Sequence, residues 1–138
     1  MDAEKFKKLY KGRFNCQKTF TLGLLYWAAQ NIPDNENILA MAGFCGFNRG
    51  NSTAKTNEGV LTITEKALYF FTSALPFIPF PYDSGAVPLR HIESIEINGM
   101  LTQCLTIRIA NVPYNFYLVD HSATIQATIL DAKEKLKN

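Results

Sequence analysis

Residues 58–98 read EGVLTITEKALYFFTSALPFIPFPYDSGAVPLRHIESIEIN. In residues 59–64, Leu61 and Ile63 share one side while Val60, Thr62 and Thr64 share the other. That two-residue period is the mark of a β-strand. The short Glu65-Lys66 link then leads to a second, aromatic strand over residues 67–73. Residues 75–84 carry Pro76, Pro79 and Pro81 among Phe77, Ile78, Phe80 and Tyr82. Proline lacks the ladder donor and does not belong in a central strand, so a long loop with a heavy apolar load is expected here. Strand character returns at 87–89 and 92–98, with Ile95 and Ile97 directed inward and Glu96 and Asn98 outward.

Working outward, Asn98-Gly99 is the sharpest turn signal, since both residues accept positive φ, and it predicts a type I′ hairpin. The hairpin leads into a strand over 102–110, where Leu105, Ile107 and Ile109 alternate with Thr106 and Arg108. Asn111, Val112 and Pro113 turn the chain into a last strand over 114–119. Upstream, residues 34–37 form a turn, residues 38–47 a first strand bent near Gly43 and Gly46, and residues 48–57 a polar loop. Six or seven short strands joined by tight turns predict an antiparallel sheet that curls to hide its edges.

Helices flank the sheet. Ile125, Ile129, Ala132 and Leu136 recur at helical spacing over 122–136, with Asp120 or Ser122 placed to cap the start. Lys133, Lys135 and Lys137 suit its C-terminal end, and the helix is expected to close one end of the barrel. At the other terminus Ala3, Phe6, Leu9 or Tyr10, and Phe14 predict an amphipathic helix over 2–13. A second helix begins at Thr19 or Thr21 and stops near Asn31, before Pro33. It is apolar almost all round, so it must be buried, on its own barrel or on another subunit. Its Trp27 serves as the anchor of that contact.

The chain has 138 residues, 47% hydrophobic and 19% charged, which suits one globular domain able to bury a core without staples. Cys16, Cys45 and Cys104 are odd in number and far apart, so neither a disulfide framework nor a zinc site is indicated. Reduced thiols place the expectation in the cytoplasm. The apolar run in residues 20–32 is too short to span a bilayer. Charge is uneven. Lys5, Lys7, Lys8, Lys11, Arg13 and Lys18 face only Asp2 and Glu4 within residues 1–18, a net of +4, while the remainder carries −2. A basic arm on a mildly acidic body either is a solvated helix face or meets an anionic surface.

Three stretches resemble bacterial pleckstrin-homology-like domains of the YokE-like or GRAM-like kind. Residues 34–41 (DNENILAM) resemble the acid-then-apolar-strand opening of such domains. Gly59, Leu61, Thr64, Leu68 and Phe70 resemble their G-x-L-x-x-T-x-x-x-L-x-F hairpin, and Pro88, Leu89, Ile92, Ser94 and Ile95 their I-P-L-x-x-I-x-S-I strand. The resemblance spans about residues 34–137. It implies an α+β, mainly β fold: a PH-like antiparallel barrel of six or seven strands, capped by a C-terminal helix. Residues 1–33 are then a helical extension and 34–138 the barrel domain. It further implies lipid, peptide or protein binding, or self-assembly. Inositol-phosphate binders ring their first inter-strand loop with cations, whereas this chain offers only Arg49 and Lys55 there.

No catalytic constellation is legible. His91 and His121 are the only histidines and have no base–orienter motif around them, and Glu93 and Glu96 fall on opposite faces of a strand. Cys16 lies in a basic neighbourhood that favours its thiolate, but no partner pairs with it by motif. The expectation is a non-enzymatic module with no cofactor and no metal. Its partner is a protein or a second copy of itself, reached through Trp27, Phe77, Ile78, Phe80 and Tyr82. The alternative is an anionic membrane, met by Lys5, Lys7, Lys8, Lys11, Arg13, Arg49 and Lys55. Nucleic acid is disfavoured, because aromatic residues do not interleave with the basic ones as a stacking platform needs.

Overall fold

A computed structural model describes residues 1–18, 22–50, 55–75, 78–99 and 102–137; within it, the side chains of residues 22, 55–57, 74, 75 and 78–82 are not described. Seven strands form one antiparallel sheet: β1 (Ile38–Arg49), β2 (Lys55–Thr64), β3 (Ala67–Leu75), β4 (Ile78–Pro88), β5 (Ile92–Asn98), β6 (Cys104–Ile109) and β7 (Val112–Tyr117). Their order across the sheet is β4-β3-β2-β1-β7-β6-β5. Helix α3 (Ser122–Leu136) packs on β1, β5 and the 3-10 turn Leu89–His91. Helix α1 (Ala3–Lys8) widens into a π-helical turn, Leu9–Arg13, and α2 (Leu22–Gln30) follows. The mainly β architecture with one closing C-terminal helix agrees with the expectation.

The period-two pattern of the sequence sorts the strands into two cores. Inward, Ala40, Ala42 and Phe44 of β1, Leu61 and Ile63 of β2, and Leu68 and Phe70 of β3 meet Leu105, Ile107 and Phe116. Ile125, Ile129 and Ala132 of α3 complete this cluster. The rings of Phe47, Phe70 and Phe116 lie 5.0 to 5.7 Å apart in tilted or edge-on pairs, the arrangement their quadrupoles favour. Outward, Met41, Val60, Ala67, Tyr69 and Phe71 form a second cluster with Phe6, Tyr10, Leu24, Leu25, Ala28, Ala29 and Ile32. Strands β1 to β3 are therefore buried on both faces, which explains why residues 67–71 lack polar positions. Helix α2 is buried on its own barrel.

Polar groups tie the N-terminal segment down. The Asp2 carboxylate caps α1 by accepting from the Lys5 amide, and that bond holds its carboxyl below the usual range. The Met1 ammonium donates to the carbonyls of Ala29 and Ile32 at the end of α2 and pairs with Asp34 at 3.1 Å. The amides of Lys18 and Gly43 both donate to Asp120 Oδ2, and the Asp120 amide returns a bond to the Gly43 carbonyl. Glu36 accepts from the hydroxyls of Thr64 and Tyr69 at 2.7 and 2.8 Å, fixing the turn before β1 to the β2–β3 hairpin.

Several expectations are corrected. Residues 78–84, read as loop, belong to β4. This strand is at the margin of the sheet, where a proline without its amide costs the ladder least. The polar loop shrinks, because β1 runs to Arg49 and β2 begins at Lys55. Asn98 pairs with Cys104, so the two strands are not joined by a two-residue turn at Asn98-Gly99, and Gly99 sits at φ 97°. The positive-φ pair of a two-residue hairpin occurs instead at Ala110 and Asn111, φ 52° and 64°, and Val112 and Pro113 already lie in β7. Neither Asp120 nor Ser122 caps α3: His121 occupies the cap position at φ 50°, and Leu136 is exposed rather than part of the buried stripe.

Candidate interaction surfaces

Phe6 and Tyr10 anchor the first helical segment on the outer core, which turns Lys5, Lys8, Lys11 and Arg13 to solvent and leaves Lys7 half-buried. None of these five makes an ion pair among the described residues. The nearby acids have hydrogen-bond or charge partners of their own: Asp2 caps the helix at the Lys5 amide and also feels the Lys5 charge, Glu4 accepts from the Tyr26 hydroxyl, and Asp34 holds the Met1 ammonium. Lys5, Lys8 and Leu9 line an open groove of about 520 Å³ with Asp2 and Glu4. Arg49 is placed differently. It pairs with Asp83 at 3.1 Å and stacks 4.7 Å over the Tyr114 ring, so it braces β1 against β4. The Lys55 side chain lies outside the described residues.

The hydrophobic candidates separate as well. Trp27 is half-buried with its ring edge-on to Phe71 at 5.3 Å, the packing of a core element. Phe77 and the side chains of Ile78, Phe80 and Tyr82 lie outside the described residues; the backbone of the last three belongs to β4. Beside that strand, Asn31, Tyr69, Phe71, Ser84, Gly85 and Ala86 line a recess of about 140 Å³.

The two margins of the sheet differ. At the β5 margin, Gln126 Nε2 of α3 donates to the Ile95 carbonyl at 3.0 Å, and Lys133 Nζ donates to the Ile92 carbonyl. The helix thus occupies the edge that β6 leaves open. At the β4 margin, the Leu89 amide donates to the Lys66 carbonyl and the Asp83 amide to Thr72 Oγ1, both toward the β2–β3 hairpin. Backbone groups alternate in direction along an antiparallel strand. Gly85 and Val87 therefore also face β3, while Ser84 and Ala86 direct their amides and carbonyls off the sheet. Both side chains are exposed.

The residues weighed for chemistry are dispersed. Cys16 is buried and its thiol donates to the Met41 carbonyl; burial, with Asp120 nearby, pushes its pKa up to about 12, the reverse of the activation its basic neighbours suggested. His121 is exposed with Nε2 at 3.2 Å from the Asn15 carbonyl, and His91 is exposed at the end of the 3-10 turn. Among the described residues, no three His, Cys, Asp or Glu side chains are grouped so as to hold a metal ion. No described helix is long and apolar enough to cross a membrane. Sequence reasoning missed Gln126, Lys133 and Glu36, whose roles depend on contacts far along the chain.

No family model matches the chain, and no curated protein matches it. Solved structures do. The hSac2 domain from human phosphoinositide phosphatase Sac2 superimposes with a TM-score of 0.53 at 16% identity, covering 82% of this chain and 79% of that one. The C-terminal domain of an unknown protein from Leishmania infantum gives 0.52 at 13% identity, over 71% and 84%. The fold is pleckstrin-homology-like. At such identities the likeness concerns the fold alone, and a fold shared among many functions leaves the partner to be argued from surfaces.

Proposed function

We propose that the chain is a non-enzymatic PH-like binding and assembly module whose protein contact forms by strand addition at β4, with a second copy of the chain as partner. The observation that carries this reading is the open margin at Ser84–Ala86, set against the β5 margin filled by Gln126 and Lys133. Two copies related by a twofold axis at Gly85 set Ser84 of each opposite Ala86 of the other. Each such pair exchanges both backbone hydrogen bonds. The side chains at 84 and 86 are small and exposed beside the end of α2, and Pro88, lacking an amide, limits how far the pairing extends. Light scattering tests the reading. The parent protein is expected to show a dimer, and Ala86→Pro, which removes an amide directed off the sheet, a folded monomer whose melting temperature does not depend on concentration. A parent protein that stays monomeric when concentrated overturns it.

A further inference from the structure

We infer that the exposed face of Lys5, Lys8, Lys11 and Arg13 is a docking surface for an anionic lipid bilayer, separate from the β4 margin. Charge complementarity carries the argument. Lys5, Lys8, Lys11 and Arg13 are exposed along one short helical segment, and with Lys7 and Lys18 they outnumber Asp2 and Glu4, the acids of residues 1–18, by four. A segment with that excess of positive charge gains about 1 kcal/mol of attraction per basic residue at an anionic membrane surface. The groove along Lys5, Lys8 and Leu9 is open and also contains Asp2 and Glu4, so it is not built to enclose a single phosphate. A planar array of headgroups satisfies such a spread of charge better than one compact anion does. Half-buried Leu9 adds apolar surface at the same level.

The same geometry disfavours nucleic acid. Phe6 and Tyr10 are buried beneath the lysines, and one face of the Phe14 ring is covered by the Arg13 guanidinium at 5.1 Å, so these three rings do not form a stacking platform for bases. The surface is also separate from the end of β1, where Arg49 is committed to Asp83.

Co-sedimentation with phosphatidylcholine vesicles, with and without added phosphatidylserine, tests the inference. The protein is expected to sediment only with the anionic vesicles and to be released by salt. Each charge removed should weaken partitioning about fivefold, so the combined Lys5→Gln, Lys8→Gln, Lys11→Gln variant should lose roughly a hundredfold. A thermal melt confirms that this variant is folded, and Lys8→Gln alone, about fivefold weaker, serves if it is not. Lys135→Gln, on the far helix, should bind as the parent does. No sedimentation at low salt, equal loss from Lys135→Gln, or binding to a DNA duplex or an acidic polypeptide in preference to vesicles overturns the inference.

Discussion

Thr62 shows how a single buried atom can set a measurable energy. Its hydroxyl is fully buried on the outer side of β2 and, alone among the described buried side-chain groups, has no hydrogen-bond partner. Thr62→Val keeps the shape and removes the orphan, so it should stabilise the protein by about 1 kcal/mol, read as a raised midpoint in urea. Cys16 gives a pH dependence. Its thiol titrates at 9.0 when free and is raised to about 12 in the fold. The folded state therefore retains a proton that the unfolded chain releases, and stability falls as pH rises above 9.0. Tyr10, raised by burial, acts in the same direction. Urea midpoints measured on either side of that pH should show the decline in the parent protein and less of it in Cys16→Ala.

At the scale of elements, close approach decides two glycines. A Cβ on Gly85 would lie 2.5 Å from the Phe70 ring, and one on Gly59 would lie 2.6 Å from the Phe71 carbonyl. Gly85→Ala should cost about 2 kcal/mol through displaced core aromatics, visible as a lowered melting temperature. The helix that closes the inner core tests differently: Ile129→Ala removes a fully buried side chain and should cost about 3 kcal/mol. Strand character was legible over 59–64 and 92–98 from alternation, and over 67–73 from aromatic content alone, because both faces of that strand are buried. β4 was not legible as strand, since Pro79 and Pro81 carry a loop signal that only a position at the sheet margin cancels. The tight hairpin was misplaced for a similar reason. Asn98-Gly99 has the local chemistry of a turn, while Ala110-Asn111 is forced to positive φ by the pairing of Ile109 with Val112.

At the scale of the molecule, the sheet is clad on one side by the closing helix and on the other by the N-terminal helices. The apolar character of α2, read from sequence as a buried surface, is used against its own sheet, and Trp27 is used with it. That leaves two kinds of surface for partners: the β4 margin and the basic face of the first helical segment. The basic face was visible in the sequence as a charge imbalance. The two margins were not, because whether an edge is open depends on Gln126 and Lys133, some thirty to forty residues along the chain from the carbonyls they cover.

Amide hydrogen exchange resolved to single residues along β4 tests the assembly most directly. The amides of Gly85 and Val87 face β3 and should be protected at any protein concentration. Those of Ser84 and Ala86 face off the sheet, and their protection should rise as the protein is concentrated and fall on dilution or in Ala86→Pro at Ser84. Rapid exchange at Ser84 and Ala86 at every concentration would contradict strand addition at β4.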